Sequence, residues 1–441
     1  MSITRHTRNR LYEDEALFNK LLPYVKWDYI NQVFVHGDGS LWSIYQLQPL
    51  LLTSTSDAQA FQTCQSMQEL VDSLDQRISV QFSWVTSFDV EDILDRCVHD
   101  YPLTAVSGWM AKRWVRMMRN MSKSANYGAR VRKLRLYVSF RYDPEWAGQT
   151  WIDDIKRSLQ SLFKGPVDPL DQHPREEEYR RFIDKFRGEI DGKISRFADM
   201  GLFPTRIDGQ GLINILYPLL NRRSTKGGKF KRGQSNAIAV PTYDSDDILS
   251  NQISDTPAYH PEDGYLVKDG RVYHAISMVK APKQCLPLMT TGLQSIPVES
   301  ILSVTYSRDP KEKQLKRLDR LDGTLGLRER GASGRVNQKV SHQINSIRQA
   351  REELYSNRSQ IVRVGLHHMQ ITQNLDEARR IASEVLAQFP ALNGARGMSH
   401  MISDMGLMIH SLPGGYCPSL DGPGWTASMQ SSRAVRLFPL W

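Results

Sequence analysis

The chain has 441 residues, 57 Lys+Arg against 48 Asp+Glu for a formal charge of +9, 40% apolar residues and 24% charged ones. These proportions exclude a disordered or fibrous protein and suit two to four compact units at roughly 100–200 residues each. No run approaches the ~18 apolar residues of a membrane span, and the polar start Met1-Ser2-Ile3-Thr4-Arg5-His6 does not read as a secretory signal.

In chain order, Val33-Phe34-Val35, the turn residues His36 to Ser40 and Leu41 to Tyr45 read as a hairpin. Ser56 with Gln59 three residues on is a capping box. It opens a helix whose stripe is Phe61, Cys64, Met67, Val71 and Leu74. Ile78, Val80, Phe82 and Trp84 then alternate with Ser79, Gln81 and Ser83, the period of a strand. Between Leu103 and Tyr142 stand ten basic residues and no acid. The first part of that stretch predicts a helix with Val106, Met110, Trp114, Met117 and Met121 on one face. Leu134, Leu136, Val138 and Phe140 predict another strand. Arg175 to Phe197 reads as a charged helix and Gly211 to Leu220 as a short apolar one.

Residues 222–257 are basic and then polar, with little apolar periodicity, and read as a linker between a first unit, 1–221, and a second, 258–441. The second unit repeats the grammar of the first. Tyr265 to Val267, Lys268-Asp269-Gly270 and Val272 to Ile276 form a hairpin, Leu286 to Leu293 a short helical stretch and Ile301 to Tyr306 a strand. The turn glycines Gly39 and Gly270 are 231 residues apart, and the strands opening at Ile78 and Ile301 are 223 apart. The expected fold is therefore α+β: two related hairpin–helix–strand units with mixed or antiparallel sheets and additional helices. A flexible stretch is expected around Gly323, Gly326, Gly331 and Gly334. It is followed by a solvated helix from Val336 to Asn357, a strand from Ile361 to Ile371, and a helix capped by Asn374 with the stripe Ala378, Ile381, Val385 and Phe389.

No catalytic constellation emerges. A phosphate loop needs G-x-x-x-x-G-K-[ST]. Gly188…Gly192-Lys193-Ile194 is one residue short and has Ile194 in the hydroxyl position, and Gly228-Lys229-Phe230 fails at the same place. The four cysteines, Cys64, Cys97, Cys285 and Cys417, contain no CxxC pair, so neither a disulfide framework nor a zinc site is expected, and a reducing cytoplasm fits. Adjacent His367 and His368 on a strand point to opposite faces, a poor geometry for joint metal ligation. The basic clusters are the candidate surface. One comprises Lys112, Arg113, Arg116, Arg119, Lys123, Arg130, Arg132 and Lys133; the other comprises Lys226, Lys229, Lys231 and Arg232 in a Gly-rich context. An amphipathic basic helix suits an anionic membrane surface, nucleic acid or an acidic partner; a core-facing stripe with a solvated basic face has the same spacing.

The opening Leu21-Leu22-Pro23-Tyr24 with Val33-Phe34 and the Gly39 hairpin resembles the start of the TraC-class ATPases of conjugative type IV secretion systems. The run from Asp263-Gly264-Tyr265 to Ala281-Pro282 is similar to that family's second hairpin. The block from Ile361 to Pro413, ending in Ser411-Leu412-Pro413-Gly414, resembles the close of its N-terminal domain, with Arg433 and Arg436 in the neighbourhood of the arginine that follows. The DotO-like Dot/Icm relatives share this plan. The resemblance implies an assembly and docking domain for plasmid conjugation and DNA transfer. That domain would be peripheral at the cytoplasmic face of the inner membrane, contact inner-membrane components of a secretion channel, and self-associate into hexamers in the full-length family. ATP and magnesium belong to the family's C-terminal RecA-like motor. This sequence reaches Trp441 without a Walker A loop, so no cofactor and no ATP hydrolysis are expected of the chain alone. The apolar ending Leu437-Phe438-Pro439-Leu440-Trp441 reads as a cut before that motor. The rival reading is a free-standing basic nucleic-acid-binding protein.

Overall fold

The computed structural model describes residues 18–88 except 52 and 54, then 90, 93–94, 106–122, 131–143, 173–221, 240–259 except 255, 265–308, 311–329, 338–356, 360–400, 404–418 and 425–441. The fold is α+β, built on one 13-stranded sheet in which every pairing is antiparallel. In chain order the first half contains β1 (Tyr24–Asp28), β2 (Val33–His36), β3 (Leu41–Leu47), α1 (Asp57–Asp72), β4 (Ile78–Ser87), α2 (Val106–Ser122), β5 (Lys133–Tyr142), α3 (His173–Asp199), β6 (Thr205–Arg206) and α4 (Gly209–Leu220). After α5 (Leu249–Ile253) the second half contains β7 (Ala258–Tyr259), β8 (Leu266–Lys268), β9 (Arg271–Lys280), α6 (Thr291–Gln294), β10 (Glu299–Arg308), α7 (Lys311–Glu329), α8 (Gln338–Tyr355), β11 (Ile361–Thr372), α9 (Leu375–Ala391), β12 (Arg396–His400) and α10 (Asp404–Ser411). A last stretch adds β13 (Ala427–Gln430) and α11 (Ser431–Ala434).

The strand order is β1-β2-β3-β5-β4-β10-β11-β9-β8-β7, with β6 on β3, β12 on β9 and β13 on β11. Read outward from the β4–β10 junction, the two halves repeat one topology, down to the short strand that returns to pair with the third strand of each half. The 231-residue offset keeps faces in step: Trp42 and Tyr273 share one core cluster, and Tyr45 and Ile276 share the other. The 223-residue offset does not, because Ile78 faces the cluster of Tyr45 and Ile301 that of Trp42. Side chains alternate faces along a strand, so a match one residue out of register pairs residues that face opposite ways. The two units also do not keep separate sheets, since β4 and β10 pair from Val80↔Tyr306 to Thr86↔Ser300.

Helices cover both faces. On one, α1, α3 and α9 supply Met67, Phe186 and Val385 to a core that also takes Leu437, Phe438 and Trp441; Phe438 stacks on Phe82 at 4.3 Å. The apolar ending of the sequence is thus core packing. On the other face, α4, α5 and α10 contribute Leu216, Leu249 and Met408. The capping box at Ser56 and the Asn374 cap both form. Phe61, expected inward, is largely exposed beneath the Arg436 guanidinium. Gly323 and Gly326, expected in a flexible stretch, lie inside α7, while Gly331 and Gly334 are outside the described residues. Residues 222–239 of the expected linker are also outside them. From Val240 the chain packs, with Leu249 and Ile253 buried and the Tyr243 hydroxyl donating to Trp27 O at 3.3 Å.

The period-2 pattern of β4 does not mark a solvated polar face. Ser79, Gln81 and Ser83 are buried, and the register aligns them with Ser139 and Arg141 of β5 and with Ser303 and Thr305 of β10. The segment after α10 covers this polar tract. Gln81 Nε2 donates to His410 O at 2.8 Å, Leu412 O at 3.1 Å and Ser303 Oγ at 3.0 Å, while Gly414 N donates to Gln81 Oε1 at 3.1 Å. Tyr416 donates its hydroxyl to Ser307 Oγ at 3.0 Å, and Tyr24 donates to Pro413 O at 2.8 Å. The turn requires its glycines: Gly414 has φ +76°, and a Cβ on Gly415 would stand 1.9 Å from Ile409 O. Beside it, the buried Arg141 guanidinium bonds Asp38 at 2.6 Å, Asp143 at 2.7 Å and Tyr416 O at 3.2 Å. Burial pushes the Asp38 carboxyl up, but Arg141 and His36 outweigh it and hold it well below the usual range; burial prevails at Asp143, which is raised.

Gln81→Leu keeps volume but strips partners from two buried carbonyls and one N–H, so urea unfolding should show a loss of about 3 kcal/mol; an unchanged midpoint would refute the role given to Gln81. A second expectation concerns acid. Burial lowers His36 to about 3 and His368 and His410 to about 4. The unfolded chain takes up these protons near pH 6.5, before the folded one does, so stability should fall as pH drops from about 6.5 to about 4. Urea midpoints across that window check it, and His368→Leu should flatten the slope.

Candidate docking surface

Helix α2 connects β4 to β5 and departs from the end of β4 where Ser87 bonds Glu299. Its inward face is built from small and medium residues. Gly108 is buried, Val115 is 2% exposed, and Met118 is half-buried against Val90, Leu94 and Val131. At 100° per residue, the expected stripe of Val106, Met110, Trp114, Met117 and Met121 is centred about 125° around the helix from that face. It points to solvent: Met110 is 60% exposed, Trp114 43% and Met117 49%. The core-facing interpretation of the stripe therefore fails. Two faces of this helix carry apolar residues at helical spacing, and the body of the protein selects the smaller one.

The flank between the two faces is basic. Lys112, Arg113 and Arg116 are exposed and Arg119 is half-buried, with Trp109, 60% exposed, set among them. The Arg113 guanidinium lies 5.5 Å from the Trp109 ring centre. Trp109, Arg113, Arg116 and Met117 line a shallow groove along the helix. Trp109 falls outside the stripe the sequence pattern selects; its signal is the i, i+4 spacing to Arg113. One helix thus presents tryptophan, methionine and cation with no acid among its residues. An exposed apolar surface of this kind on a folded chain marks an interaction site.

Of the other basic residues, Arg132 and Lys133 lie at the start of β5 and not on α2. Arg132 Nη1 donates to Ser295 O and Ile296 O, both at 3.0 Å, and so ties the start of β5 to the loop before β10. Burial lowers its guanidinium. Lys133 is half-buried in the first position of β5. Lys123, Arg130, Lys226, Lys229, Lys231 and Arg232 lie outside the described residues.

Gly188 and Gly192 sit within α3, where Lys193 pairs with Glu189 at 2.7 Å. A helix interior commits its N–H groups to the helix and cannot wrap a phosphate. His367 and His368 point to opposite faces of β11: the His367 ring lies 6.2 Å from that of His410, on the polar-tract side. Among the described residues, no group of three or more His, Cys, Asp or Glu could hold a metal ion, and no helix is long and apolar enough to cross a membrane. No protein-family model matches the chain, and no curated protein matches it.

The orientation of α2 makes two substitutions diverge. Trp114→Ser with Met117→Ser should shift urea stability by no more than about 0.5 kcal/mol, whereas Val115→Asp buries an unpaired charge and should cost about 2 kcal/mol or more. The reverse ranking would place the tryptophan stripe inward.

Proposed function

We propose that this chain is an assembly and docking module, a counterpart of the N-terminal domain of conjugative type IV secretion ATPases, and that α2 seats it on an anionic membrane surface. The observation that supports this most is the outward stripe of Met110, Trp114 and Met117 beside the one-signed flank of Lys112, Arg113 and Arg116. Tryptophan and methionine enter the headgroup boundary, while arginines and lysines meet anionic lipid. The attachment is peripheral. In this reading the inner-membrane components of a secretion channel are neighbours of the docked module, hexameric self-association arranges it, and ATP hydrolysis is left to the family's motor domain.

A nucleic-acid duplex would need the charge of α2 but not its apolar stripe. The discriminating assay therefore compares vesicles rich in anionic lipid with duplex DNA for three proteins: the unaltered chain, Arg113/Arg116/Arg119→Glu and Trp109/Trp114→Ser. At roughly 1 kcal/mol per basic residue near such a surface, the charge reversal should weaken vesicle binding about a hundredfold or more. The tryptophan variant should also lose vesicle binding while leaving any DNA binding in place. Binding to DNA alone, lost only on charge reversal, would favour the free-standing nucleic-acid binder. Failure of the unaltered chain to bind anionic vesicles would overturn the membrane reading.

A further inference from the structure

The connection equivalent to α2 in the second half, from β10 to β11, carries the α7–α8 helical hairpin. It departs from the opposite end of the central strand pair, because β4 and β10 run antiparallel. Arg351 of α8 pairs with Asp319, and with Asp322 at 3.8 Å, and this holds the two helices together. Glu353 of α8 is also engaged, accepting from Gln349 Nε2 at 3.0 Å and Gln430 Nε2 at 2.7 Å. These contacts engage Asp319, Asp322 and Glu353.

Between the hairpin and strands β11 and β13 lies a cleft of about 1070 Å³. Lys316, Arg317, Arg320, Arg363 and Arg433 reach its lining, and no Asp or Glu is among the described residues that do. Its floor is aliphatic, with Leu318 and Val362 buried and Leu321 left 46% exposed. Arg317 is braced by a 2.9 Å bond to Ser428 Oγ, and Gln314 accepts from Ile361 N at 3.1 Å, so the hairpin is fastened to the sheet on both sides of the opening.

We propose that this cleft takes an acidic amphipathic peptide segment of a partner protein. Guanidinium groups match carboxylates in a planar, two-pronged geometry. An aliphatic floor beneath a cationic rim accepts a chain with leucine-like side chains on one face and glutamate or aspartate on the other. The cleft is at the upper end of the ~300–1,000 Å³ of small-ligand pockets. Among the described residues no aromatic side chain lines it, and these residues supply no stacking platform of the kind on which single-stranded nucleic acid depends. Gln314, Gln349 and Gln430 supply amide groups of the kind that pair with peptide backbone. The inference rests on α7, α8, α11 and the β11–β13 edge and is independent of the α2 reading.

The test uses the full chain and a labelled peptide with glutamates on one helical face and leucines on the other, read by fluorescence anisotropy. A scrambled peptide of the same composition and an oligo-dT strand serve as competitors. Saturable binding is expected, with weaker competition from both. Lys316→Glu/Arg320→Glu should raise the Kd by about tenfold or more. Both side chains are exposed, so the thermal melt should be unchanged. Leu321→Asp should weaken binding as well, and Arg113→Glu/Arg116→Glu on α2 should leave it intact. Binding insensitive to the α7 variants, equal binding of the scrambled peptide, stronger competition by oligo-dT, or no saturable binding would each overturn the proposal.

Discussion

The architecture turns on a buried polar tract at the centre of the sheet and on the Gln81 side chain that closes it. Four central strands, β5, β4, β10 and β11, present Ser139, Gln81, Thr305 and Gly365 in one row across the face. Short polar side chains leave room for a backbone segment to lie against them, and buried backbone must be hydrogen-bonded. Gln81 serves two carbonyls and one N–H of that segment, and Tyr24 and Tyr416 secure it on either side. The junction between the halves is therefore held by strand pairing and by a plug from the far end of the chain, Gly414 standing 333 positions after Gln81.

Charge is handled differently inside and out. The Arg141 guanidinium is enclosed and answered by two carboxylates and a carbonyl, the arrangement that makes a buried cation tolerable. The cations of α2 and of the α7 cleft are held at the surface, beside apolar groups that the core does not use. The net charge of +9 is not confined to the connections, since the described strands themselves carry eleven basic residues against two acidic ones.

The repeated topology explains where these surfaces lie. Each half sends its crossover from its central strand to the next strand outward, and the antiparallel junction directs the two crossovers to opposite ends of the sheet. Among the described residues, the same connection carries the basic helix α2 in one half and a helical hairpin over a cleft in the other. A scaffold of this kind keeps its core positions constant and varies its connections, where backbone geometry is least constrained by packing.

Local chemistry was legible in the sequence. The capping box at Ser56, the Asn374 cap, the hairpin glycines, the alternation of β4 and the helix of α2 are set by interactions within a few residues, so their residues announce them. The repeat of hairpin, helix and strand was also legible, at a turn offset that keeps side-chain faces in step. Partnership over long distances was not. Ser79, Gln81 and Ser83 have the same period whether water or a buried turn covers them, and only the arrival of residues 410–416 decides which. The α2 stripe has the same spacing whether it faces core or solvent; the small inward residues Gly108 and Val115 fit the body closely, and that packing turns Trp114 and Met117 outward. The sequence determined which elements form and which surfaces are basic, because those properties reside in neighbouring residues. The tertiary structure decided which faces are buried and where α7, β11 and β13 leave a cleft, because those depend on volume shared between segments far apart in the chain.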